Sequence, residues 1–244
     1  MISFVVPAHN EAPLLPRTLA GIHAAARFAA RPYELIVVDD ASTDATASVA
    51  AEAGARVVSV DRRQIAAARN AGARAAAGKI LVFVDADTLV PAETLCAALA
   101  ALEAGRVGGG ARVVFDGPLP RYVAPLLWLI LALYRFAGLV PGCFIFCTRE
   151  AFERAGGFDE TVYASEEVLF ARALRRAGRT VLLRERTITS GRKLRTHHWR
   201  ELFGTLWRIA RRGRAGVQSR ELLDVWYAPR RPDPAGDARR GAQR

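Results

Sequence analysis

Two rhythms of apolar and polar positions alternate along the first hundred residues. Short apolar runs at Ile2–Val6, Glu34–Val38, Arg56–Val60 and Ile80–Val84 predict buried strands by length and composition. Between them the spacing is helical. Ala12–Phe28 repeats apolar residues at Leu15, Leu19 and Ile22. Ser42–Ala53 carries Thr43 and Asp44 near its start, Gln64–Ala77 is Ala-rich and closed by Gly78, and Pro91–Glu103 has Pro in its first turn. Strands alternating with helices predict an α/β fold, a mostly parallel sheet covered by helices on both faces.

The second half is less regular. Val107–Phe115 and Cys143–Thr148 read as strands, Arg149–Ala155 and Glu166–Ala177 as helices, and Thr180–Leu183 as a further strand. Residues 197–212 predict an amphipathic helix, with Trp199, Leu202, Phe203, Leu206, Trp207 and Ala210 on one face and most of the Arg side chains elsewhere. Tyr122–Tyr134 is an apolar run of 13 residues. A membrane-spanning helix needs about 20 apolar residues, so this run suits a buried or interfacial helix. Three stretches are expected: a domain over 1–190, a basic loop and helical extension over 191–227, and a disordered tail over 228–244, rich in Pro, Arg, Gly and Asp.

Charge sharpens this division. The net charge of +11 is carried almost entirely by residues 184–244, which hold 16 basic and 6 acidic side chains. Residues 1–183 hold 19 and 18. The basic quarter would attract anions: phosphorylated small molecules, an acidic membrane surface or nucleic acid. Hydrophobic residues make up 51%, enough for a core, which excludes disorder along the whole chain. Cys96, Cys143 and Cys147 cannot form a disulfide framework and lack the His partners of a zinc site; they fit a reducing compartment and small core positions. Met1 leads straight into an apolar strand with no basic segment before it, so no signal peptide is expected and a cytoplasmic location follows.

In an open parallel sheet, ligands bind beyond the carboxyl ends of the strands. Those ends here carry Pro7-Ala8-His9-Asn10-Glu11, Asp39-Asp40-Ala41-Ser42-Thr43-Asp44 and Asp85-Ala86-Asp87. The first turn has neither GxGxxG nor GxxxxGK[ST], so a dinucleotide oxidoreductase and a P-loop NTPase both lose support. Asp85 and Asp87 place two carboxylates at the end of a buried strand. A divalent cation relieves their repulsion, and hard oxygen ligands suit Mg²⁺ or Mn²⁺, ions commonly shared with substrate phosphates.

These segments, with Ala68-Arg69-Asn70-Ala71-Gly72, Gly156-Gly157-Phe158-Asp159-Glu160 and Glu166-Glu167, resemble the family 2 glycosyltransferases in order and spacing over residues 2 to about 190. The resemblance implies a Rossmann-like GT-A fold. It also implies inverting transfer of a sugar from a UDP- or GDP-sugar, with a divalent cation, to a glycan or lipid-linked acceptor. It places Pro7, Ala8 and Glu11 near base and ribose, Asp40 against the base, Arg69 near the nucleotide, Asp87 on the metal and Asp85 near ribose or metal. Members of the family usually carry Glu-Asp where this chain has Glu166-Glu167. By position Glu167 takes the role of base, one methylene longer, with Glu166 beside it. Arg192 and Lys193, in the basic stretch 189–198, would clamp a departing diphosphate or a lipid phosphate. His197 or His198 would complete the metal shell.

Plain structural uses stand beside each of these. Asp40 or Ser42 can cap the following helix, Glu11, Glu166 and Glu167 suit helix N-termini, Arg69 can be a solvated helix residue, and the basic stretch a solvated turn. His9 and Phe158 read as structural. Among other functions, a nucleotidyltransferase would bring a Gly- and Arg-rich loop after the first strand, which is absent. A catalytically silent module could bind an anionic membrane or nucleic acid through the basic quarter, and in the enzyme reading the 197–212 helix and the Tyr122–Tyr134 run could bring the protein to the inner face of the plasma membrane, although core packing explains the same apolar stripes. The acidic strand ends and scarce aromatics argue against nucleic acid.

Overall fold

The computed structural model describes residues 1–119, 140–219, 221 and 223. Among them, eight strands form one sheet: β1 (Ile2–Ala8), β2 (Tyr33–Asp40), β3 (Arg56–Val60), β4 (Ile80–Val84), β5 (Thr88–Leu89), β6 (Gly108–Phe115), β7 (Phe144–Thr148) and β8 (Thr180–Thr189), in the order β3-β2-β1-β4-β7-β6-β8-β5. The helices are α1 (Leu15–Phe28), α2 (Thr46–Glu52), α3 (Ile65–Ala75), α4 (Ala92–Glu103), α5 (Arg149–Ala155), α6 (Glu166–Ala177), α7 (Arg192–Thr196), α8 (Trp199–Arg212) and α9 (Arg214–Gln218).

The period-2 alternation of strand side chains divides the core in two. Phe4, Val6, Leu35, Val37, Val82 and Val84 face a layer with Leu15, Leu19 and Ile22 of α1 and Leu95 of α4. Val5, Ile36, Val38, Leu81 and Phe83 face the other, with the alanines of α3 and with Phe170 and Leu174 of α6. Each fully buried side chain of this size contributes about 1.5–3 kcal/mol. The alanine-rich character of α3 has a steric reason. A Cβ on Gly72 would lie 2.3 Å from Cγ1 of Val5 and 2.9 Å from Cγ2 of Val38, so this helix lies almost on the sheet.

β1 to β4 pair in parallel, as do β6 and β8. β7 runs antiparallel to β4 and β6, and β5 antiparallel to β8. The sheet is thus mixed in its second half, where the strand–helix alternation of the sequence breaks down. β8 continues to Thr189 rather than ending at Leu183. Its last half follows β6 through an irregularity between Gly110 and Arg112, and its side chains there are charged, so no apolar run marks it. α2 starts at Thr46 instead of Ser42 because Asp44 accepts the Thr46 N–H at 2.9 Å and fixes residues 41–45 as a loop. The Tyr122–Tyr134 run and the tail after residue 227 lie outside the described residues. Among the described residues no helix is long and apolar enough to cross a membrane.

Candidate active site

The carboxyl ends of β1, β2 and β4 lie along one rim, because all three strands run the same way. Side chains pin the first two ends together. His9 Nδ1 donates to the Asp40 carbonyl at 2.7 Å, the Asn10 N–H to Ser42 Oγ at 3.0 Å and the Glu11 N–H to Thr46 Oγ1 at 2.9 Å. Asn10 Oδ1 in return accepts the Thr43 N–H at 2.8 Å. His9 therefore ties the two loops together, and Pro7 and Ala8 are buried at the end of β1, in register with Val38 and Asp39.

Asp40 does not present its carboxylate to a base in this structure. It accepts the backbone N–H groups of Arg62, Arg63 and Gln64 at 2.7, 2.8 and 2.8 Å, and so anchors the loop that opens α3. The neighbouring Asp39 is the different case. Strand alternation turns it to the opposite face, where its Oδ1 is buried with no hydrogen-bond partner. The sequence reading passed over it because two adjacent aspartates are alike as letters. Only the pleat separates them, with Asp40 sharing the Ile36 and Val38 face.

The Asp85–Asp87 turn is tightly held. The Asp85 N–H donates to the Cys143 carbonyl at 3.1 Å, and Thr18 Oγ1 to the Ala86 carbonyl at 2.9 Å. Thr189 Oγ1 donates to Asp87 Oδ1 at 3.3 Å. Burial, then the charges of Glu11 and Asp85, push the Asp87 carboxyl up to about 6, against the pull of Lys193 and Arg192. Arg192, at the start of α7, bonds both Glu11 oxygens at 2.9 and 3.2 Å and lies 4.0 Å from Asp87 Oδ2. Arg192 of the basic stretch thus lies against Glu11 and Asp87 at the carboxyl edge of the sheet.

Asp85 and Asp87 are hard oxygen donors at the end of β4, and their chemistry fits a divalent cation such as Mg²⁺ or Mn²⁺. Among the described residues no group of three or more His, Cys, Asp or Glu side chains is arranged to hold a metal ion. His198 in particular is not brought into such a group: it is exposed, and its Nδ1 caps α8 by accepting the Arg200 N–H at 3.3 Å. Cys143 is no nucleophile here, since burial and the Asp85 charge push its thiol up to about 12.

Arg69 is not the solvated helix residue that its place in α3 would allow. It is 1% exposed, and its fork faces protein. Nη1 donates to Glu166 at 2.8 Å, and Nη2 to Asp85 at 2.8 Å and to the Gly142 carbonyl at 2.9 Å. The Phe158 ring lies 5.2 Å from the guanidinium carbon. Phe158 is itself core, stacked on Phe170 at 4.1 Å, and its loop is fastened by Asn70, which bonds the Phe158 N–H and carbonyl at 2.9 Å each.

Glu166 and Glu167 open α6, where the helix dipole favours acids. Glu166 turns inward to Arg69. Glu167 remains half-buried. Burial and the Glu166 charge push its carboxyl up to about 8, with Arg69 opposing. The longer side chain has room because residue 142 is glycine: a Cβ there would come within 3.3 Å of Glu167 Cγ.

The described residues thus bring Glu11, Asp85, Asp87 and Arg192 to one edge of the sheet, with Arg69 bridging Asp85 and Glu166 behind it. Residues 3–155 match the sequence profile of glycosyl transferase family 2. The chain belongs to that family. An uncharacterized glycosyltransferase of Mycobacterium tuberculosis is 39% identical over 104 residues, 43% of this chain and 44% of that protein. The undecaprenyl-phosphate 4-deoxy-4-formamido-L-arabinose transferase of Shewanella sediminis is 33% identical over 135 residues, 52% of this chain and 41% of that one. The chain thus spans less than half the length of these relatives. A mannosyltransferase from Pyrobaculum calidifontis, solved with GDP-Man and Mn²⁺, superposes with a TM-score of 0.63 at 24% identity, over 96% of this chain and 66% of that one. Staphylococcus aureus TarS residues 1–349, solved with UDP-GlcNAc, gives 0.62 at 18% identity over 78% and 58%. This glycosyltransferase family 2 chain shares their GT-A fold.

Proposed function

We propose that the protein transfers a sugar from a UDP- or GDP-sugar to an acceptor hydroxyl or a lipid phosphate, with inversion at the anomeric carbon. The observation that carries this reading is the meeting of Asp85, Asp87 and Glu11 at one rim, with Arg192 and Lys193 over them. The printed ligands of the two solved neighbours, GDP-Man and UDP-GlcNAc, support a nucleotide-sugar donor. The bacterial relative named for undecaprenyl phosphate supports a lipid phosphate acceptor.

In this reading Pro7, Ala8 and Glu11 line the base and ribose side, and the unpartnered Asp39 oxygen, rather than Asp40, accepts an N–H from the base. Asp85 and Asp87 would hold Mg²⁺ or Mn²⁺. That ion, when bound, neutralises charge on the donor diphosphate. Glu167 takes the proton from the acceptor hydroxyl as its oxygen bonds to the anomeric carbon. The bond from that carbon to the diphosphate oxygen breaks, and the electron pair leaves with the diphosphate. Arg192 and Lys193 stabilise the departing anion. With its carboxyl pushed up to about 8, Glu167 is a stronger base than an ordinary carboxylate, and the deprotonated form that takes the acceptor's proton predominates only above that pH.

The basic helix α8 supports peripheral association with an anionic membrane, such as the cytoplasmic face of the plasma membrane. Trp207 is 60% exposed with Arg211 4.6 Å over its ring, and Arg200, Arg208 and Arg212 are exposed. The deciding assay incubates the purified chain with Mn²⁺, a panel of UDP- and GDP-sugars, and either undecaprenyl phosphate or a sugar alcohol, and follows product by chromatography. A glycosylated acceptor from one donor is expected. No transfer or donor hydrolysis with any donor contradicts the reading.

A further inference from the structure

Arg69 is buried, yet it touches two separate parts of the candidate site. Its two terminal nitrogens reach carboxylates from different parts of the chain: Asp85 at the end of β4 and Glu166 at the start of α6, each at 2.8 Å. Asp85 belongs to the donor rim. Glu166 is joined by one peptide to Glu167, the acceptor base of the reading above. A third bond, to the Gly142 carbonyl at 2.9 Å, ties in the glycine whose lack of a Cβ leaves room for Glu167.

The Arg69 side chain is 1% exposed and Glu166 7%, so their contact is little screened by solvent, whereas Asp85, 29% exposed, keeps one side open to it. The Arg69 Nε finds no partner. A buried arginine with an unmet donor is costly to keep. A lysine could carry the same charge but, as a point donor, could not hold two carboxylates in fixed directions.

We infer that Arg69 is a positioning residue that couples the donor rim to the acceptor base, holding Asp85 and Glu166 on one guanidinium so that a change at either carboxylate is felt at the other. This rests on the glycosyl-transfer reading only in naming what the two rims bind. When donor and cation draw on Asp85, the guanidinium leans more fully on Glu166, and the start of α6 is set as the donor arrives. Conversely, removing the Glu166 charge leaves Arg69 to Asp85 alone. It then competes harder with a cation for that carboxylate, although Glu166 touches no part of the donor rim.

The test is a binding cycle on the full chain, titrating UDP and GDP, each with Mn²⁺, into wild type, Glu166→Gln, Arg69→Lys and the double variant. Melting curves confirm that each is folded. Glu166→Gln is expected to weaken nucleotide binding about threefold or more with Arg69 present, and to change it by less than about 1.5-fold in the lysine background. A merely structural Arg69 would lower stability without this non-additivity. An Arg69→Met, Glu166→Gln pair, which leaves no unpaired charge at Glu166, serves if the lysine variant does not fold. Equal effects of Glu166→Gln in both backgrounds, or none in either, overturn the coupling while leaving the donor reading intact. Failure of wild type to bind either nucleotide with Mn²⁺ overturns the donor reading and the coupling with it.

Discussion

Replacing Arg69 with Met removes the guanidinium and keeps most of the volume. The consequence can be worked from burial. Glu166 is 7% exposed and Asp85 29%, so the first is left charged with little water and the second with partial solvation. Removing one partner of a buried ion pair costs about 3–5 kcal/mol, because the remaining charge is uncompensated. The orphaned Gly142 carbonyl adds about 1 kcal/mol, whereas the unpartnered Nε has no bond to lose. Partial hydration of Asp85 works in the other direction, so a loss of about 3–5 kcal/mol is expected overall. For a chain of this length that lowers Tm by about 6–20 °C. Urea unfolding followed by tryptophan fluorescence measures it, with Arg69→Met, Glu166→Gln as the control: neutralising the stranded carboxylate should recover part of the loss. A single variant within about 1 kcal/mol of wild type, or a double variant no more stable than Arg69→Met alone, would refute the reasoning from buried charge.

Glu167→Gln should lower transfer to a hydroxyl acceptor by roughly 100-fold or more, measured as kcat. The same substitution should alter the pH dependence of stability. The folded carboxyl titrates near 8 against a usual 4.5, so wild type loses stability as pH rises between those values. Asp87, pushed up to about 6, makes both proteins lose stability as pH rises toward that value, so the two should part above it: between about pH 6 and 8 the glutamine variant should decline less than wild type, and an equal decline there counts against the raised carboxyl. Asp40→Ala should destabilise by about 1–3 kcal/mol through the three backbone N–H groups it leaves unbonded, read as a lower urea midpoint. Asp39→Asn should instead leave Tm close to wild type and weaken nucleotide binding by roughly tenfold, read by calorimetry. Gly72→Ala should cost about 1–3 kcal/mol from overpacking against Val5 and Val38, visible in thermal melts.

The parts of the fold legible in the sequence are those where apolar runs alone decide burial. β3, β4, α5 and α6 have the ends their residue patterns predict, because each is bounded by glycine, proline or a charge. β8 and β5 were not readable in full: their pairing is stabilised from across the sheet, by β6 and by a Thr88–Thr189 hydroxyl bond at 2.9 Å, rather than by their own hydrophobicity. The rim of the site was legible for a topological reason, since parallel strands carry their following loops to one edge whatever the loops contain. The orientation of individual side chains was not. Asp39 and Asp40 differ by the pleat, and Arg69 looks like any helix arginine until Gly72, three residues on, shows how closely α3 lies on the sheet. His198 shows the same ambiguity, since a histidine before a helix serves equally well as its cap.

The most direct test of the account is calorimetric titration of UDP and of GDP into the full chain, with and without Mn²⁺, for wild type and Asp87→Ala. The account predicts saturable binding of at least one nucleotide that depends on the ion and is lost with Asp87. Silence from both nucleotides in the presence of Mn²⁺, or binding indifferent to the ion and to Asp87, would contradict it.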